Sequence, residues 1–166
     1  MKRILLLLVL IIVAGCSYDY SGDVLPQKES TPEDLAKFFV TKMSQGDFSA
    51  LADKIVDADG EVAVTEWEVE EMNEMFEEEC GPDAECIKLE KVLIVGKERA
   101  ISLENLPEDT KITEYYIIKV KPVGKATNGF GREFFDDIGE AHIVKVDDQW
   151  YFYPGYPQPD DFETIY

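Results

Sequence analysis

The segment Ile55-Val56-Asp57-Ala58-Asp59-Gly60-Glu61-Val62-Ala63-Val64-Thr65-Glu66 sets carboxylates at the spacing a twelve-residue calcium loop uses. Such a loop takes oxygen ligands at positions 1, 3, 5 and 12, glycine at 6 and an apolar residue at 8. Asp57, Asp59, Gly60, Val62 and Glu66 fall in register, but position 1 is Ile55, which has no ligand atom. The same residues also read as an acidic turn between helices, with Thr65 as the next cap. Glu77-Glu78-Glu79 ends a predicted helix, where negative charge is disfavoured by roughly 0.3–1 kcal/mol per charge, and reads as a solvated face. His142 is the single histidine and stands in a predicted strand with Val144 and Val146. From there it could act as a general acid or base inside a cavity, although no nucleophile can be assigned to it. Gly124 and Gly129 are followed by Phe130, not the lysine a phosphate loop needs.

The three cysteines divide by context. Met1-Lys2-Arg3 precedes an apolar run from Ile4 to Ala14, then Gly15-Cys16. A basic start, a short apolar stretch and small residues read as a secretory signal, since a membrane crossing needs about 20 apolar residues. Val13-Ala14-Gly15-Cys16 resembles the lipobox of bacterial lipoproteins. The resemblance implies a diacylglyceryl thioether on Cys16, cleavage before it, and acylation of the new amine. It also places the chain in the cell envelope, facing the periplasm from an outer membrane or standing on the outer face of a plasma membrane. Cys80 and Cys86, in the turn-rich Glu79-Cys80-Gly81-Pro82-Asp83-Ala84-Glu85-Cys86, would then meet an oxidising compartment. A disulfide there contributes about 2 kcal/mol on the chain-entropy view. Zinc is disfavoured, because a thiolate site wants four ligands.

Composition bounds the remainder. The chain of 166 residues carries 16 basic and 35 acidic side chains, a net of −19. Without residues 1–15 it would lose Lys2 and Arg3 and stand at −21 over 151 residues, enough for one domain with a real core. So acidic a surface repels nucleic acid and anionic headgroups, and assigns membrane attachment to the lipid. With 45% hydrophobic and 11% aromatic residues it is not a disordered acidic tail. No cofactor is called for.

These residues need positioning elements. Residues 16–30 are polar, with Gly22 and Pro26, and read as a tether. Thr31 caps a helix with Pro32 at its first position, burying Leu35, Phe38, Phe39 and Met43, and Gly46 ends it. Asp47 caps a shorter helix burying Phe48, Leu51, Ala52 and Ile55. Thr65 and Glu68 form a capping box opening a third helix with Trp67, Met72, Met75 and Phe76 inward. Strands are expected at Leu89 to Val95 and Arg99 to Leu103, with a turn at Pro107 to Thr110. A further strand runs from Ile112 to Lys121, with Ile112, Tyr116, Ile118 and Val120 on one face. Gly124 to Gly131 reads as a flexible loop, and Glu140 to Val146 with Trp150 to Tyr153 as a hairpin about Asp147-Asp148. Residues 31–154 are therefore the domain and 155–166 an acidic tail carrying Pro157 and Pro159.

Helices followed by antiparallel strands make an α+β plan, helices on one face of a curved sheet. A helix ending in Gly46-Asp47-Phe48, a second short helix, and strands closing on Asp147-Asp148-Gln149-Trp150-Tyr151-Phe152 resemble the nuclear transport factor 2-like superfamily; the cystatin-like plan is close to it. The resemblance implies a cone-shaped cavity, with His142 and Tyr116 as the candidates to face it. The expected protein is a membrane-anchored, non-enzymatic accessory domain binding an envelope protein or a small ligand. Two alternatives stand beside it: an enzyme acting in the cone, and a weak calcium binder through the EF-hand-like loop at 55–66.

Overall fold

The computed structural model describes residues 31–81, 86–104, 106–136, 138–154 and 162–165. Cys16, the signal segment and the tether lie outside them. The architecture is α+β. Helices α1 (Pro32–Gln45), α2 (Ser49–Ala52) and α3 (Glu66–Cys80) precede strands β1 (Ile87–Ala100) and β2 (Glu114–Ala126). Helix α4 (Gly129–Asp136) and strands β3 (Gly139–Val146), β4 (Gln149–Phe152) and β5 (Phe162–Thr164) follow. The strands form one open antiparallel sheet in the order β4-β3-β2-β1-β5.

Local chemistry sets the long helices. Thr31 Oγ1 accepts from the Asp34 N–H at 3.2 Å while Asp34 Oδ2 accepts from the Thr31 N–H at 3.2 Å. Thr65 and Glu68 repeat that reciprocal cap on α3. Each satisfies two orphan donors and is worth roughly 1 kcal/mol. Gly46 stops α1 at φ 68°, and a Cβ there would press into the Phe76 ring 2.6 Å away, so only glycine lets α3 approach. Asp47 caps the next turn through Oδ1, which accepts from the Ala50 N–H. Ile55 lies beyond α2 and bridges Phe152 beside β4 instead.

Five elements depart from the sequence expectation. The strands expected at 89–95 and 99–103 are one strand, β1, running through Gly96 and irregular at Leu89/Lys91 and Ile94/Gly96. Such bulges bend and twist a long strand without ending it. The glycine loop is the end of β2 followed by α4. A Cβ at Gly124 would collide with the Lys88 carbonyl and the Phe135 ring, and one at Gly131 with the Cys86 carbonyl. These glycines permit close packing; they do not supply flexibility. The Asn128 side chain accepts from the Gly131 N–H at 2.8 Å and donates to the Glu79 carbonyl at 2.6 Å, starting α4 and tying it to α3. Trp67 is 64% exposed, because α3 buries only a narrow stripe through Val69, Phe76 and Cys80. At 100° per residue Trp67 points almost opposite Val69. Part of the expected tail pairs as β5, Phe162 opposite Ala100 and Thr164 opposite Glu98.

The sheet is covered on both faces, where coverage of one was expected. Leu35, Phe38, Val40, Phe76, Tyr116, Ile118, Val120, Ile143 and Phe152 form the core on the helix side. On the far face Val56, Leu106, Ile112, Tyr115, Val144, Val146 and Tyr153 pack beneath Leu103 and Phe162. Ile112 therefore belongs with Tyr115 and not with Tyr116. The hairpin about Asp147 and Asp148 is present, both residues at positive φ (48° and 65°) as a tight two-residue turn requires.

Cys80 and Cys86 form a disulfide, their Cα atoms 4.7 Å apart, joining the end of α3 to the start of β1. Glu77, Glu78 and Glu79 before it are exposed. Replacing both cysteines with serine should cost about 2 kcal/mol in a urea melt. A loss of stability that reductant does not reproduce in the parent chain would assign the effect to the serines.

Candidate functional site

Antiparallel register decides which side chains meet. Arg99 stands opposite Tyr116, Lys97 opposite Ile118, and Glu114 opposite Lys145, which is itself opposite Trp150. Partners in register share a face, and Tyr116 and Ile118 belong to the helix-side core. Lys97, Arg99, Glu114, Tyr116, Lys145 and Trp150 therefore gather at one end of the helix-side face, where Glu33 of α1 joins them.

Glu114 is the hub. Its Oε2 accepts from the Tyr116 hydroxyl at 3.0 Å and its Oε1 from Lys145 Nζ at 3.0 Å. The Arg99 guanidinium lies 3.7 Å from Oε2. Lys97 Nζ donates to Glu33 Oε1 at 2.7 Å and sits 4.7 Å from the centroid of the Tyr116 ring. Lys145 Nζ is 5.3 Å from the Trp150 centroid, and the two aromatic rings meet edge to face at 5.5 Å. Glu33 Oε2 is buried without a hydrogen-bond donor, an acceptor left open inside the cluster.

The charges are held in fixed states. Burial alone would push the Glu114 carboxyl up, but hydrogen bonds from Lys145 and Tyr116, with the charges of Lys145 and Arg99, more than offset it and hold the group below its ordinary range. Burial, then the bond to Glu114, raises the Tyr116 hydroxyl. The bond to Glu114 raises Lys145. All three shifts point away from neutrality, so near pH 7 this cluster offers fixed donors, fixed acceptors and aromatic surface. A general acid or base works best with its pKa near the operating pH, and these groups are displaced from it.

His142 is not part of this cluster. It pairs with Ile117, so it faces the opposite side of the sheet from Tyr116, and the two expected cavity residues are separated by the sheet itself. His142 does share its face with Val144 and Val146, and its Nδ1 lies 2.7 Å from the Tyr115 hydroxyl. Tyr115 is fully buried and meets Tyr153 and Phe162 edge to face. Burial lowers the His142 pKa, partly opposed by the charge of Glu140. The unfolded chain then binds the proton more readily, so this contribution to stability is complete above the unfolded value of about 6.5 and is lost as pH falls through the lower folded value. We expect stability to decline with acidification from pH 6.5, by at most about 1.4 kcal/mol per pH unit, and His142→Gln to flatten that decline. Urea unfolding between pH 7 and 5 checks it, and equal slopes in the two chains would remove His142 as the cause.

The acidic loop is built as a turn. Asp57 Oδ1 accepts from the N–H groups of Asp59 and Glu61, at 2.9 and 3.0 Å, and Gly60 takes a φ of 78°. Val56 and Val62 bridge to close it, and Glu66 begins α3. Asp57, Asp59 and Glu66 do not converge: among the described residues no three Asp, Glu, His or Cys side chains gather to hold a metal ion.

Lys97, Arg99, Glu114 and Lys145 are not among the candidates that residue type and spacing single out. Their signal was present as polar residues at every second position, Lys97 with Arg99 and Glu114 with Tyr116, but only register brings them onto one face. No helix among the described residues is long and apolar enough to cross a membrane. No protein-family model, curated protein or solved structure matches this chain.

Proposed function

We propose that this chain is a lipid-anchored protein of the bacterial cell envelope whose domain binds a partner protein or a small ligand and does no chemistry on it. The anchor rests on Met1-Lys2-Arg3, the apolar run 4–14 and Val13-Ala14-Gly15-Cys16. The binding reading is carried by the Glu114 cluster, in which Tyr116, Lys145 and Glu114 are each held away from neutral titration. Around Glu114 the rings of Tyr116 and Trp150 add aromatic surface beside the fixed charges of Lys145 and Arg99. Helix α1 lying across β1 to β4, with α2 and α3 following it before the long antiparallel strands, favours the nuclear transport factor 2-like plan, which we read as the family of this fold, over the cystatin-like one.

The anchor is tested by Cys16→Ser, expected to keep the signal segment and lose the lipid, read from the mass of the N-terminal peptide. Acylation persisting at the mature N-terminus of that variant would sink it. A hydrolase or isomerase activity abolished at His142 or Tyr116 would overturn the non-enzymatic reading.

A further inference from the structure

The net charge of −19 conceals a separation of charge. The acids concentrate on α3, where eight of fifteen residues are glutamate. Half of the basic residues fall between Lys88 and Lys125, in and between β1 and β2. Register sorts them. Lys88 pairs with Lys125, Lys91 with Val123 and Leu93 with Lys121, so all six lie on one face of the β1–β2 arm. On the opposite face of the arm Phe135 packs at Gly124 and Val120 enters the helix-side core, so the lysine face is turned away from the helices. It also lies beyond the Tyr115 end, where the second core covers the sheet.

Two observations set these lysines apart from ordinary solvated charge. Lys125 pairs with Glu90 at 3.1 Å, and the neighbouring Lys119 with Glu98 at 2.5 Å and Glu140 at 3.5 Å. Among the described residues, Lys88, Lys91 and Lys121 have no carboxylate within ion-pair distance. Lys88 directly faces Lys125, a like-charge cross-strand pair that weakens the sheet. Between the lysines sit Leu93 and Val123, both half-buried. A sheet face that alternates unpaired lysine with aliphatic side chains matches a layer of anionic headgroups over acyl chains.

We propose that this face of the β1–β2 arm docks on an anionic lipid surface. The proposal rests on the lipid-anchor reading, because the anchor is what brings the domain to a bilayer. Residues 16–30 span at most about 50 Å, long enough for the arm to turn toward the membrane. The acids of α3 stand on the helix side of the sheet, separated from the lysine face by the sheet and by the helix layer, roughly 10 Å or more, and the Debye length near physiological salt is about 8 Å. They do not cancel the attraction felt at the lysine face. An acidic protein is the competing occupant. The bilayer is favoured because the face carries aliphatic side chains between the charges, which headgroups over acyl chains match and an acidic protein surface does not.

The test labels lysine amines on the full chain bound to vesicles, read residue by residue by mass spectrometry. One set of vesicles is phosphatidylcholine alone, and the other carries about one third phosphatidylglycerol. Lys88, Lys91 and Lys121 should label about tenfold more slowly on the anionic vesicles, with the difference erased by high salt, while Lys54 is unchanged. Each lysine at such a surface contributes roughly a fivefold preference, so replacing all three with glutamine should weaken the preference for anionic vesicles by roughly a hundredfold. Protection of Lys125 should disappear in the same chain. Equal labelling on both vesicle types overturns the proposal. So does protection given by polyglutamate and not by vesicles, which would assign the face to an acidic protein. The mass of the Cys16 peptide reports the anchor separately: a lipidated chain with no labelling contrast refutes the docking face alone, and an unlipidated chain that keeps the contrast refutes the anchor alone.

Discussion

Tyr115→Ala should destabilise the protein by about 3–5 kcal/mol, the range for deleting a large buried aromatic. Tyr115 is fully buried at the centre of the far-face core. Its ring meets Tyr153, Phe162 and His142 at centroid distances of 5.9, 5.7 and 5.9 Å. Removing the ring leaves a void that Val56, Val144 and Val146 cannot fill without moving β3 or the loop before α3. Tyr115→Phe separates the two parts of the loss: it keeps the ring, forfeits the bond to His142, and should cost only about 1 kcal/mol. Urea melts of both variants give the comparison. If phenylalanine proved as damaging as alanine, the hydrogen bond and not the packing would hold this face.

Phe38→Ala is the matching experiment on the helix side, with an expected loss of about 3–5 kcal/mol. Phe38 is 2% exposed and sits among Leu35, Val40, Ile118 and Ile143, in the seam where α1 crosses the strands. Because one sheet serves both cores, the loss should appear equally in the far-ultraviolet signal of the helices and in the fluorescence of Trp150. Transitions at different urea concentrations for the two probes would show that α1 detaches while the far-face core persists.

What the sequence made legible follows from the range of the interactions involved. The cap at Thr31, the capping box at Thr65, the stop at Gly46 and the hairpin at Asp147-Asp148 are local, and all are present. Gly124 and Gly131 were read as loop residues because glycine in sequence signals freedom equally with close approach. The carbonyls of Lys88 and Cys86 that decide between the two are distant in the chain. Asn128, three residues before Gly131, was the available sign of α4. The far-face core was hidden for another reason. Tyr115 and Ile117 are as buried as Tyr116 and Ile118, so β2 lacks the clean alternation that would say which face is which. The same ambiguity placed His142 and Tyr116 in one cavity when the sheet divides them. The Glu114 cluster needed register between three strands, which no single segment encodes.

β5 has a consequence for the order of folding. Its three residues complete the far-face core by placing Phe162 against Tyr115, and they pair with the outer edge of β1 about sixty residues earlier in the chain. The entropy of closing that span must be met before any contact rewards it. The hairpins β1–β2 and β3–β4 join neighbouring segments and can form first. β5 is then the last strand to arrive and the easiest to leave, held by three residue pairs and the Ile165 N–H donating to the Lys97 carbonyl. Its amides should exchange with solvent well before those of β2, through a local opening that uncovers Tyr115 while the rest of the sheet stays folded.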